Sequence, residues 1–287
     1  MILVTGATGQ LGTAVIRQLL QKVPASQIVA LVRDEQKASN LINQGVTIRM
    51  GTYDDTEALG QAMQGIETLL LIAGTDEQNR VRQHQNVVDA ARKASVQRIA
   101  YTSRALKEPA TLVNQLMMGH FQTEDYIKAS GLAYTLFQNI LYMDAIPQFV
   151  GGDAVFERGI YLPAAQGRVA FALRNEMGEA IANALAGKSE GNITYRLTGG
   201  ESYSFHDVAA ALTTLSGKPV AYTTAEPLTF ETQLTERGLP TVVAQRITRF
   251  ITDIAHGQED SVSPDLEKLL GRKPMALNEG LALLYPL

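Results

Sequence analysis

Met1-Ile2-Leu3-Val4-Thr5-Gly6-Ala7-Thr8-Gly9-Gln10-Leu11-Gly12 opens the chain. A short apolar run, Ile2 to Val4, passes through glycines spaced Gly-x-x-Gly-x-x-Gly into a helical pattern over Gln10 to Lys22. The reading is strand, phosphate loop, helix. Gly6 permits the tight turn, Gly9 lets backbone N–H groups approach a pyrophosphate, and Gly12 lets the helix pack closely on the strand. The unpaired amides of the helix's first turn then face the anion. Gly6, Ala7, Thr8, Gly9, Gln10, Leu11 and Gly12 are therefore expected to bind a dinucleotide.

Outward from this loop, Gln27 to Arg33 reads as a second buried strand. Folds that hold NAD commonly end this strand with an acid for the ribose hydroxyls. Arg33 stands there instead, and a guanidinium suits a phosphate oxygen pair, so NADPH is expected over NADH. Lys37 is a second candidate cation, while Asp34 opposes the assignment if it points the same way. Both charges also fit a solvated helix start.

Glu35 to Gln44 reads as a helix closed by Gly45, Val46 to Met50 as a third strand, and Asp55 as the cap of a helix over Thr56 to Met63. Ile66 to Ile72 is a fourth strand. The small residues Ala73, Gly74 and Thr75 beyond it leave room for a cofactor. Asp76 to Ser95 is a long helix with His84 on its apolar stripe. Gln97 to Thr102 is a fifth strand ending at Ser103, Leu112 to Ser130 a helix, and Leu132 to Gln138 a sixth strand. Strand and helix alternate about every 20 residues, the pattern of a parallel sheet. Right-handed crossovers place the glycine loop, Arg33, Ala73, Ser103 and Asn139 along one edge.

Past Asn139 the rhythm breaks. Val155 to Leu162 and Val169 to Leu173 read as short strands or loops, Asn175 to Ala186 as a helix, and Ile193 to Leu197 as a strand. Further helices are expected over Phe205 to Leu215, Leu228 to Gly238, Thr241 to His256, Asp265 to Leu270 and Asn278 to Leu284. The expected fold is an α/β Rossmann-type doubly wound parallel sheet with a smaller C-terminal α/β substrate lobe. Residues 1–140 form the NAD(P)-binding domain, and 141–287 a lobe partly folded back on it.

Composition narrows the chemistry. The 287 residues are 45% hydrophobic and 19% charged, with a formal net charge of −4 and no cysteine. Overall charge lends no support to a nucleic-acid partner, and cysteine chemistry is excluded. No apolar run reaches the ~18 residues of a membrane span, and a strand beginning at Ile2 leaves no room for a signal peptide, so a cytoplasmic protein is expected. His84, His120, His206 and His256 lack metal-ligand spacing, so no metal site is expected. The sequence leaves a homodimer open.

No tyrosine has a lysine four residues on, so the acid pair of ordinary keto reduction is missing. Hydride transfer is the cofactor's chemistry and needs alignment. A quinone-like small molecule, whose reduced oxygens take protons from water, fits such a site. Ser103 is the candidate hydrogen-bond donor to the acceptor, with Tyr142 and His120 as candidate pocket residues. Each also has a plain structural role open to it: cap, core or helix face.

Thr5-Gly6-Ala7-Thr8-Gly9-Gln10-Leu11-Gly12, Val32-Arg33, His84-Gln85-Asn86-Val87-Val88-Asp89-Ala90-Ala91, Ile99-Ala100-Tyr101-Thr102-Ser103, His120 to Glu124 and Tyr195-Arg196-Leu197-Thr198-Gly199 resemble the NmrA-like branch of atypical short-chain reductases. Within it the likeness is to the bacterial type-2 NAD(P)H:quinone oxidoreductases. The resemblance implies NADPH along Gly6 to Leu11, at Arg33, at Ala73 to Thr75 and at Gln138, Asn139 and Ile140. It implies a quinone over the nicotinamide beside Phe137, Leu141, Tyr142 and Arg174. Phe137-Gln138-Asn139-Ile140-Leu141-Tyr142 departs from the family's Leu-Arg-Asn-Gly-Trp-Tyr. Asp125 replaces a lysine, and Thr52 replaces an aspartate. These departures keep a second reading alive: a cofactor-sensing regulator acting through a protein partner, as NmrA proteins do.

Overall fold

The computed structural model describes residues 1–76, 78–187 and 190–286. In chain order its helices and strands are β1 (Ile2–Val4), α1 (Gln10–Leu19), β2 (Ile28–Val32), α2 (Ser39–Asn43), β3 (Thr47–Met50), α3 (Thr56–Ala62), β4 (Thr68–Leu71), α4 (Arg80–Lys93), β5 (Arg98–Arg104), α5 (Met118–Ala129) and β6 (Ala133–Asn139). Then follow α6 (Ile146–Val150), α7 (Val155–Arg158), β7 (Ile160–Leu162), β8 (Arg168–Val169), α8 (Arg174–Ala186), β9 (Ile193–Leu197), β10 (Tyr203–Ser204), α9 (Phe205–Ser216), β11 (Tyr222–Thr224), α10 (Pro227–Glu236), α11 (Thr241–Ala255), α12 (Asp265–Leu270) and α13 (Leu277–Leu284).

The main sheet has the order β3-β2-β1-β4-β5-β6-β9, parallel throughout. β2 is buried along its whole length, which is why such strands read as unbroken apolar runs. The order reverses between β1 and β4, and ligands of open α/β sheets lie in the crevice beyond the strand ends there. One face carries Val4, Ala30, Leu70 and Phe137 into a core shared with α1 and α8. The other carries Leu3, Val29, Leu71 and Tyr101 against α3, α4 and α5. α1 and α8 meet at bare backbone: a methyl group on Gly178 would lie 2.6 Å from Ala14 Cβ.

Several expected elements shift. Glu35 to Gln44 divides into a 3₁₀ turn, Gln36–Ala38, and α2. The helix expected over Asp76 to Ser95 starts at Arg80; its residue Glu77 lies outside the described residues. The helix expected from Leu112 starts at Met118, because Pro109 and Asn114 set 3₁₀ turns ahead of it. Val155 to Leu162 is a helical turn followed by β7 rather than strand alone. Ile193 to Leu197 joins the main sheet beside β6, with Thr135 opposite Ile193. The chain past residue 140 thus supplies β9 and α8 to the main layer, with α12 packed on both, and it also forms two small sheets, β7 with β11 and β8 with β10.

Candidate functional site

The glycine loop is shaped from beneath. Thr5, buried at the end of β1, accepts from Ile72 N at 2.9 Å, and its Oγ1 lies 2.5 Å from the Tyr53 hydroxyl. Gly6 takes φ +56°, and Gly9 N donates to Gly6 O at 2.9 Å. A methyl group on Gly12 would lie 2.3 Å from Gly6 O, so only glycine closes this turn. Gly9 precedes α1 and offers it no side-chain cap, and the helix has no acid in its first turn. Its leading amides and the positive end of its dipole therefore have no internal partner. Gly6, Thr8, Gly9 and Gln10 are exposed, whereas Ala7, Leu11 and Gly12 are buried. The cradle fits a pyrophosphate.

Arg33 stands exposed just past β2 and makes no ion pair with any described residue. Asp34 turns away from it, accepting from Gln36 N at 3.0 Å and pairing with Lys37 at 3.9 Å. Asp34 is thereby engaged within its own turn, while Lys37 stays exposed beside it. Tyr53 closes the gap between β1 and β4, donating to Ile72 O at 2.9 Å, and burial pushes its phenol up to about 12.

Ala73 to Thr75 is held by its peptide groups. Ala73 N donates to Thr102 Oγ1 at 3.0 Å, Gly74 N to His84 Nε2 at 3.0 Å, and Arg80 Nε to Gly74 O at 3.2 Å. Since Nε2 accepts, His84 carries its proton on Nδ1 and donates to Thr123 Oγ1 at 3.0 Å, which donates to Gly119 O at 2.8 Å. Burial, aided by the Arg80 charge, drives the His84 pKa down to about 3. The histidine expected on an apolar stripe is a neutral brace.

At the acceptor end the expected residues separate. Side chains alternate along a strand, so Tyr101, Ser103 and Gln138 face α5 while Asn139 faces the other way. Ser103 Oγ is buried without a partner. Gln138 Nε2 donates to Glu124 Oε1 at 3.1 Å, and the Tyr101 hydroxyl lies 3.1 Å from His120 Nδ1. On the opposite face Asn139 Nδ2 donates to the Tyr142 hydroxyl at 3.2 Å, leaving Asn139 Oδ1 unpartnered. The Arg174 guanidinium covers the Tyr142 ring at 4.7 Å, fixed by Asp144 at 3.3 Å. Burial raises the Tyr142 pKa, so the phenol holds its proton. Ser103 and Tyr142 thus flank the edge from two sides. Phe137 corrects the expectation of a substrate contact: it is fully enclosed and stacks on Tyr195 at 5.8 Å. Ile140 and Leu141 are likewise core, because the chain turns inward after β6.

Glu259 escaped sequence reasoning. It pairs with Arg104 at the end of β5, accepts from Leu141 N at 3.2 Å, and its carbonyl accepts from Ala170 N at 3.2 Å. Nearby, Asp253 accepts from Val113 N at 2.7 Å and Asn114 N at 3.0 Å, and Gln258 Oε1 accepts from Glu108 N at 2.9 Å. The loop after Ser103 is therefore fastened to the last turn of α11 and to the segment that follows it. No periodicity marks such residues. Among the described residues no group of His, Asp or Glu is placed to hold a metal, and no helix is long and apolar enough to cross a membrane.

A doubly wound sheet with an uncapped glycine cradle at its switch point defines a dinucleotide-binding α/β protein. Residues 1–281 match the NmrA-like family model, and the chain belongs to that family. It is similar to quinone oxidoreductase 2 of Escherichia coli (strain K12), 37% identical with 99% of each chain covered. The Citrobacter sp. triphenylmethane reductase complexed with NADP(H) superposes with TM-score 0.92 at 37% identity, covering 99% of this chain and 100% of that one. The E. coli NADPH-dependent quinone oxidoreductase complexed with NADPH gives TM-score 0.91 at 36% identity, with 99% of each chain covered.

Proposed function

We propose that this protein is an NADPH-dependent oxidoreductase that passes a hydride to a quinone-like acceptor. The observation that carries the reading is the uncommitted Arg33 beside a cradle whose amides have no cap. Residues 6–12 hold the pyrophosphate, through side-chain-free loop backbone and the first turn of α1. Arg33 takes the 2′-phosphate, with Lys37 adding its charge from the Asp34 pair. Residues 73–75 and 138–140 line the nicotinamide end, mainly through backbone and through Asn139. When bound, NADPH supplies a hydride.

Ser103 and Tyr142 address the acceptor from the two sides of the strand edge, Arg174 closes over Tyr142, and His120 lines the α5 side. Water supplies the final proton, because no tyrosine here has a lysine four residues on. The division into a cofactor domain, 1–140, and an acceptor lobe, 141–287, belongs to this reading, with α8 and β9 lent back to the first. The test is NADPH oxidation with benzoquinone and naphthoquinones. Turnover that is faster with NADPH than NADH is expected. Tight cofactor binding without turnover across the acceptor panel would leave a binding protein and reject the enzyme.

A further inference from the structure

We propose that His120 is held as a neutral Nε2–H donor which, with the Ser103 hydroxyl, receives the negative charge that develops on a quinone oxygen; this rests on the reductase reading above. Tyr101 is fully enclosed, and its hydroxyl lies 3.1 Å from His120 Nδ1. Burial raises the phenol's pKa and lowers that of the imidazole, so both are neutral near pH 7. In this proposal the phenol proton goes to Nδ1 rather than to Thr123, the phenol's other hydrogen-bond partner, and a neutral ring that accepts at Nδ1 carries its only proton on Nε2. Nε2 makes no hydrogen bond with any described residue.

The placement points the same way. His120 lies in the first turn of α5, which in a parallel crossover starts at the carboxyl edge of the sheet, where ligands bind. Ser103 shares the α5 face, and its hydroxyl is buried with nothing to bond. Leaving such a group unsatisfied is costly, and an acceptor oxygen relieves the cost. The charged and titratable neighbours of His120 are Arg80 and His84 from α4, Arg104 from β5, Tyr101, and Glu124 on α5. Glu124 is occupied by Gln138 and Lys128, and both arginines oppose a second proton on the ring. The imidazole is thus an electrophilic donor rather than an acid, a role known for neutral histidines in enolising enzymes. The quinone gains a hydride and becomes the hydroquinone monoanion, His120 and Ser103 keep their protons, and water delivers the one proton that completes the hydroquinone.

Replacing His120 by Phe is expected to lower kcat with a quinone by about 10²–10³-fold, the usual loss for one oxyanion donor. The NADPH dissociation constant should stay within about twofold, since the lost contact is made in the transition state. His120→Gln, which keeps an N–H donor, restores most of the rate and guards against a folding defect. In ¹⁵N-histidine spectra of the wild type, His120 should show a protonated Nε2 and His84 a protonated Nδ1, both unchanged from pH 6 to 8. Turnover that survives His120→Phe, or an imidazolium or Nδ1–H form of His120, overturns the inference alone. A wild type that reduces no quinone overturns the reductase reading and the inference with it.

Discussion

Arg33 and Asp34 are neighbours with opposite fates. The carboxylate accepts from its own turn and lies 3.9 Å from Lys37, whereas the guanidinium makes no ion pair with any described residue. Replacing Arg33 by Ala should raise the NADPH dissociation constant about tenfold or more, the size of a hydrogen bond to a charged group. NADH affinity should change little, because that nucleotide lacks the 2′-phosphate. Parallel fluorescence titrations check this, and equal losses would show that Arg33 does not select the nucleotide. The tight glycine turn and the exposed place of Arg33 after β2 were legible in the sequence because both are set by residues within a few positions. Glu259 was not: its partners Arg104 and Leu141 lie 155 and 118 positions away, a distance at which only the folded chain brings them together.

Helices and strands were legible in proportion to how local their causes are. Asp55 caps α3 as its place before Thr56 implied, accepting from Ala58 N at 2.9 Å. Gly217 ends α9 in the left-handed conformation at φ +68°. By contrast, membership of β9 in the main sheet depends on pairing with β6, which no periodicity records. α8 likewise owes its position to Gly178, which admits the backbone of α1. That contact predicts a reciprocal effect. Gly178→Ala should destabilise the fold by about 1–3 kcal/mol through overpacking. Ala14→Gly in the same chain should recover part of it, less the ~1 kcal/mol that glycine costs within a helix. Urea unfolding of the single and double variants measures the coupling. Additive losses would show that the helices do not meet at these residues.

Across the whole molecule, a run of buried polar side chains behind β4 and β5 joins the cofactor edge to the acceptor edge: Gly74 to His84, His84 to Thr123, and, beside it on the same face, Tyr101 to His120. Satisfied networks of this kind rigidify a core, and partly satisfied ones are costly, so its two histidines tie stability to pH. The unfolded chain takes up a proton on each histidine as pH falls through about 6.5. The folded chain does not, since burial holds His84 down to about 3 and His120 well below its ordinary value. A lowered histidine pKa therefore leaves stability intact above about pH 6.5 and erodes it below, by about 1.4 kcal/mol per pH unit for each residue. His84→Gln keeps an acceptor for Gly74 N but removes one of the two proton uptakes. Urea midpoints measured from pH 7 to pH 5 should fall about half as steeply in that variant as in the wild type. Identical slopes would mean that His84 is protonated in the folded protein, which would take the hydrogen bond from Gly74 N with it and free residues 73–75 at the mouth of the site.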